Sequence, residues 1–204
     1  KNMSLTKDDR KVFEQMMAAL FPHHPYGTQT VLGTQENLKN PSITNIKNFF
    51  KEWYVPNNMA ICLSGDFDPE MMIETINRYF GGMQPNSNLP KLKFEAEKPI
   101  EAPIVKEVVG AEAEFLVLGW RFPGAASKEA EMLNLLSSIL YNGQAGLIDL
   151  DINQEQKMLN AASYPILFAD YSMYLMQGNP KAGQSLEEVR DLLLAEVEKL
   201  KKGE

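Results

Sequence analysis

The chain reads as an α+β protein assembled from partial repeats of one strand-and-helix unit, and three observations predict this. An apolar strand-like run, a capping residue, an amphipathic helix and a closing glycine occur in that order twice. The first pass is "MAICLSG", Asp68, a helix and Gly81-Gly82; the second is "EFLVLGWRF", Ser127, a helix and "YNG". Between them, residues 83–103 hold four prolines, polar turn residues and mixed charge, the composition of a surface linker. The whole chain has 204 residues, 44% hydrophobic and 23% charged, which is enough for one large core or two small ones.

Each element follows from local chemistry. Thr6 is placed to cap a helix running to about Leu20, with Asp9 at its third position and Phe13, Met16, Met17 and Leu20 on one face. Pro22 and Pro25 end it, Tyr26-Gly27 makes a turn, and "TQTVLG" reads as a short extended piece. "NPS" at 40–42 opens a second helix whose buried side is Ile43, Ile46, Phe49, Phe50 and Trp53. Pro56 ends that helix, and Asn57-Asn58 can supply left-handed turn residues. "MAICLSG" is apolar through Leu63 and predicts a central strand covered on both faces. Asp68 followed by Pro69 starts a helix with Met72, Ile76, Tyr79 and Phe80 inward.

Beyond the linker, "EFLVLGWRF" predicts a strand, and Ser127 caps a helix with Leu133, Leu136, Ile139 and Leu140 on its apolar face. "LNAASYPILF" and "YSMYLMQG" predict two strands around a turn. Ser185 caps a last helix carrying Leu186, Val189, Leu193, Val197 and Leu200. The second half is therefore roughly β-α-β-β-α, with strands in one layer and helices on one face.

Bulk properties exclude several classes. The net charge of -7 and pI near 5.0 give no nucleic-acid footprint, and the run "KLKK" at 199–202 reads as a solvated helix end. Cys62 is the one cysteine; within its apolar run it reads as a small buried hydrophobe, and it makes no internal disulfide. No uninterrupted apolar run reaches the ~18–20 residues of a membrane span. The opening "KNMSLTKDDRKVFEQMM" lacks an initiator Met and is helical in character, as expected of a cut inside a longer protein. Localisation stays open for that reason: the chain reads as soluble, and bacterial cytoplasm and periplasm both fit.

The only histidines, His23 and His24, are adjacent and lie between two prolines. A catalytic zinc needs three protein donors aimed at one point about 2 Å from each. Residues at i and i+4 of a helix meet that need, and neighbours in a turn diverge. His-Glu-x-x-His, His-x-x-Glu-His and Cys-x-x-Cys are all absent. The plain reading of the pair is an ordered polar loop; the functional one is a histidine lining a groove and bonding a substrate backbone. Ser64 and Ser163 lack a Gly-x-Ser-x-Gly setting, "LGTQEN" is no phosphate loop, and "LIDLDINQEQ" is acidic without ligand spacing. In "GDFDPE", Asp68 is better used as a helix cap than as a cation ligand.

From Leu20 to Gly81 the ordered strings "LFPHHPYG", "LGT", "FFKEWYVPNNMAICLSGDFDPE" and "RYFG" resemble the insulinase–pitrilysin family of zinc metallopeptidases, which includes the mitochondrial processing peptidases. The resemblance implies two partial repeats of the family's metallohydrolase α/β sandwich. Residues 1–83 would be the C-terminal part of a first, catalytic-type domain, 84–103 a linker, and 104–204 the N-terminal part of a second, non-catalytic domain. It implies Zn²⁺ in the full-length parent, held by an inverted His-x-x-Glu-His motif and a more distant Glu. The motif is absent here and would lie upstream of Lys1. Glu14 sits on the helix that feeds the loop, but its surroundings do not match the third ligand. No metal ligand and no catalytic residue is carried over, so this piece by itself is expected to bind no zinc and to be inactive. The implied role is part of a metalloendopeptidase, forming substrate-chamber wall and domain packing. His24 and Tyr26 would be the substrate-proximal residues. The implied partners are peptide or small protein substrates and the parent's remaining peptidase domains. The family also contains metal-free members that serve as structural or partner subunits.

Overall fold

A computed structural model describes residues 6–203, which divide into two compact units. One contains the chain up to Gln29 together with everything from Ala96 onward; the other is Thr30–Glu95.

The larger unit is built on an antiparallel sheet of β1 (Leu116–Pro123), β2 (Asn160–Leu167) and β3 (Tyr171–Asn179), in the order β1-β3-β2. β3 pairs with β1 from Leu116↔Gly178 to Pro123↔Tyr171, and with β2 from Asn160↔Asn179 to Leu167↔Ser172. Being central, β3 is buried on both faces, and its side chains alternate between two cores. On one face Met173 and Leu175 pack with Met17, Leu20 and Phe21, carried by or adjoining α1 (Asp8–Leu20). On the other, Tyr174 and Met176 pack against Leu133 and Leu140 of α6 (Lys128–Leu140) and Val189 and Leu193 of α7 (Leu186–Lys202). Ile148 and Ile152, the latter within a π-helical turn at Asp149–Gln154, complete that core. Gly178 lets α7 lie close, because a Cβ there would stand 2.6 Å from Val189 Cγ1.

The expected β-α-β-β-α order is present, with Ser127 and Ser185 capping their helices. Ser185 and Glu188 bond each other's backbone N–H in a capping box, and Gly203 closes α7 in the left-handed conformation. The helix α1, far away in sequence, covers the opposite face of the same sheet. Its start differs from expectation. The helix begins at Asp8, and the residue before it, Lys7, makes no side-chain cap. The Asp8 carboxylate instead accepts from Lys11 Nζ at 2.7 Å and from the Glu112 N–H at 2.8 Å. Those bonds, the Lys11 bond foremost, hold the carboxyl below its ordinary pKa.

The smaller unit contains α3 (Gln35–Lys39), α4 (Ile43–Trp53), a 3₁₀ turn (Pro56–Asn58) and α5 (Pro69–Phe80). Thr34, Ser42 and Asp68 each cap their helix by accepting a backbone N–H. Asn57 and Asn86 exchange amide-to-backbone bonds at 2.8 and 3.0 Å, tying the turn to the chain after α5.

Here several local expectations fail. "MAICLSG" forms no strand, and Cys62 within it is exposed. A strand's N–H and C=O groups need a neighbouring strand, and among the described residues none pairs with 59–65. Composition qualified this segment, but pairing is a non-local condition. For the same reason the apolar face of α4 lacks a sheet to rest on: Ile43, Ile46, Phe49 and Phe50 are exposed, as are Tyr79 and Phe80 of α5. Asn57 and Asn58 are not left-handed, since the turn after Pro56 is 3₁₀. "TQTVLG" is a turn, closed by the Gly33 N–H donating to the Thr30 carbonyl.

Candidate functional site

The two histidines sit where α1 ends, and the chemistry of "HPYG" is legible residue by residue. His24 has extended backbone and caps α2 (Pro25–Thr28); its Nδ1 accepts the Tyr26 N–H at 3.3 Å. Accepting there requires an unprotonated Nδ1. Pro25 occupies the first helical position, where no N–H is needed. Gly27 is forced by crowding, because a Cβ would lie 2.2 Å from the Phe21 carbonyl oxygen and 2.4 Å from that of Met17. The motif therefore builds a one-turn helix folded tightly back on the end of α1.

Around it stands an aromatic cluster. The His24 ring is 4.2 Å from Tyr26 and 5.3 Å from Tyr171, both edge-on, and Phe21 contacts Tyr26 at 5.7 Å and Tyr171 at 5.5 Å. His24 is buried, His23 is exposed and Tyr26 is half-buried. Two carboxylates frame the cluster. Asp170 accepts from the Tyr26 hydroxyl at 3.4 Å, its own N–H donates back to that oxygen at 3.2 Å, and its carboxylate lies 3.5 Å from His24 Nε2.

Glu97 is the more deeply placed carboxylate, with its side chain 1% exposed. Its Oε1 accepts the backbone N–H of both His23 and His24 at 2.7 Å, and its Oε2 lies 3.2 Å from His23 Nδ1. Its own N–H donates to the Tyr171 hydroxyl at 2.8 Å. Arg121 Nη1 stands 3.9 Å from the carboxylate and donates to the Leu20 carbonyl, Nη2 donates to the Lys98 carbonyl, and the guanidinium carbon lies over the Phe21 and Tyr171 rings at 5.9 and 5.7 Å. Burial pushes the Glu97 carboxyl up, but the donated N–H bonds and His23 outweigh it, and the net shift is downward.

Sequence reasoning found His24 and Tyr26 but missed Glu97, Arg121, Asp170 and Tyr171. Glu97 lies within the stretch read as linker and is 74 residues from His23. A lone Glu in a mixed-charge proline-rich segment carries no signal of that pairing.

The residues present do not fit a zinc ion. The His23 and His24 rings face different carboxylates, His24 Nδ1 is committed to the backbone, and no group of three His, Cys, Asp or Glu converges among the described residues. Three converging donors are the minimum for a protein zinc site. Among the described residues, no helix is long and apolar enough to cross a membrane.

This architecture is that of the M16-like peptidases. A crystal structure of a protease from Helicobacter pylori superposes with TM-score 0.74 at 21% identity, covering 100% of this chain and 53% of that one. An M16-like peptidase from Alicyclobacillus acidocaldarius gives 0.73 at 14% identity, with coverages of 98% and 48%. The family model described as the Peptidase M16 inactive domain matches residues 42–204, and the chain belongs to that family. It is 26% identical over 197 residues to the zinc protease PqqE of Helicobacter pylori, covering 90% of this chain and 42% of that protein. A mitochondrial-processing peptidase subunit beta from Neurospora crassa is 30% identical over 69 residues, covering 34% of this chain and 14% of that subunit. The chain spans less than half the length of these curated relatives.

Proposed function

We propose that this chain is part of a zinc-dependent metalloendopeptidase that hydrolyses peptides, and that it supplies substrate-chamber wall and domain packing rather than the metal site. The observation that carries the reading is its membership of the inactive-domain family, joined to a match covering most of the chain with a relative named as a zinc protease. The parent's zinc would sit on residues upstream of Lys1. In this reading residues 1–83 close a first domain, 84–103 link, and 104–204 open a second, non-catalytic one. That is a division by homologous repeat. It differs from the compact units because α1 packs on the sheet formed by later residues. His24 and Tyr26 would lie next to substrate. Tyr26 would do so through its half-exposed ring and hydroxyl, and His24 by fixing the turn that presents it.

A second reading is equally compatible with membership of the inactive-domain family: a metal-free homologue serving as a structural or partner subunit of a peptidase complex. The full-length parent separates the two. Purified parent with about one zinc per chain, cleaving a quenched peptide series and silenced by a chelator, supports the endopeptidase. Parent that lacks both zinc and turnover supports the partner. The 204-residue chain itself is expected to take up no stoichiometric zinc and to cleave nothing. One tight zinc per chain would overturn the placement of the metal site.

A further inference from the structure

Residues 141–148 join α6 to the π-helical turn and contain the chain's single Asn-Gly pair, Asn142-Gly143. The turn itself requires the glycine, whose φ of +80° is a conformation that side chains disfavour. The same lack of a side chain makes the pair chemically fragile, because nothing shields the Gly143 nitrogen from the preceding carboxamide. That nitrogen can attack Asn142 Cγ, giving its proton to solvent. The Cγ–Nδ2 bond breaks, Nδ2 takes up a proton from solvent and leaves as ammonia, and a succinimide ring remains. Water then opens the ring at one carbonyl or the other, to aspartate or to isoaspartate.

In the folded chain the atoms this reaction uses are all engaged. Asp149 is buried, and its Oδ2 accepts the backbone N–H of Asn142, Gly143 and Gly146, each at 3.0 Å. The attacking nitrogen is thus a donor to a carboxylate, and losing its proton there would set an amide anion against a second negative charge. Asn142 Oδ1 accepts from the Gln144 and Ala145 N–H at 3.0 and 2.9 Å, and Nδ2 donates to the Ser138 carbonyl at 2.9 Å. Ring closure draws Cγ to bonding distance from the Gly143 nitrogen and carries Oδ1 and Nδ2 with it, so these bonds must stretch or break. Asn142 and Gly143 are nonetheless exposed, and solvent reaches them as soon as the loop opens.

We propose that Asn142 is a deamidation site that Asp149 keeps shut: the folded loop holds the pair unreactive, and each opening exposes it to irreversible conversion. Conversion takes the Nδ2 donor away from the Ser138 carbonyl in the last turn of α6. It puts a carboxylate at that helix C-terminus, where negative charge is disfavoured. Isoaspartate also adds a methylene to the backbone between the Asn142 and Gly143 N–H groups that Asp149 gathers. The product loop is therefore looser than the original, and the chain accumulates its past openings as added negative charge. The chemistry needs no zinc and no substrate, so it holds whether or not the parent hydrolyses peptides.

The test incubates the 204-residue chain at neutral pH and maps its peptides by mass spectrometry that separates asparagine, aspartate and isoaspartate at Asn142. The folded chain should convert about a hundredfold more slowly than the same chain unfolded in guanidinium chloride, at roughly a factor of five for each of about three net hydrogen bonds. Isoaspartate should be the major product, the signature of the ring. Asp149→Asn removes the charge and keeps an acceptor oxygen, and should speed conversion of the folded chain by about tenfold. Should that variant not fold, hydrogen exchange of the unaltered chain decides. The Gly143 amide should be protected, and mild denaturant should speed its exchange and the deamidation in the same proportion. Conversion at equal rates in the folded and unfolded chain, or in neither, overturns the proposal. So does a folded Asp149→Asn chain that reacts no faster, which would make the carboxylate a bystander, or more slowly, which would make it the base that activates Gly143. Aspartate without isoaspartate would show direct hydrolysis in place of ring closure and overturns it too.

Discussion

Replacing Glu97 tests whether one carboxylate from the proline-rich segment holds the histidine loop. Its Oε1 accepts two backbone N–H groups at 2.7 Å, and Arg121 Nη1 lies 3.9 Å from Oε2. A hydrogen bond to a charged acceptor contributes about 1.5–3 kcal/mol. Discounting the His23 bond, which water can replace at an exposed residue, Glu97→Ala should cost ~2–4 kcal/mol, part of it from Arg121 left without its carboxylate. Glu97→Gln keeps an oxygen for both N–H groups and loses only the charge, so about 1 kcal/mol is expected. Burial opposes ionisation of this carboxyl, yet the bonds to His23 and His24 bring its folded pKa below the ordinary 4.5. A depressed folded pKa gives stability that is complete above the unfolded value and is lost as pH falls through the folded one. The gap between the parent chain and Glu97→Gln should therefore be full near neutral pH and shrink below about pH 4.5. Urea unfolding followed by Trp120 fluorescence reports this unit, with Trp53 of the other unit changed to Phe in every variant. An alanine variant within ~0.5 kcal/mol of the parent, or a glutamine gap that widens in acid, would refute the reasoning.

Two further substitutions probe the frame around the loop. Gly27→Ala drives a Cβ to 2.2 Å from a backbone oxygen that cannot step aside, so ~3 kcal/mol or more should be lost, read as a lowered urea midpoint. Leu193→Ala removes a fully buried side chain between α7 and the sheet and should cost about 2–5 kcal/mol by the same assay.

Caps and periodicity are local, and they were legible. Asp68, Ser127 and Ser185 all cap the helices their positions suggested, and the later strands lie where alternating and apolar runs put them. "MAICLSG" marks where local reasoning ends. The strand did not form because pairing requires a neighbour that composition does not supply. The candidate site divides the same way. "HPYG" announced an ordered turn, whereas Glu97, Arg121 and Asp170 gave no sign of their part in it.

The order of residues by itself determined the family, the helix boundaries set by caps and prolines, and the turn at His24–Gly27. Only the tertiary structure decided that α1 covers the far face of the later sheet and that Glu97 grips the histidine loop. The physical reason is range. Capping and side-chain periodicity act over a few residues and leave their pattern in the string. Sheet pairing and carboxylate burial are set by groups that only folding brings within about 3 Å of one another.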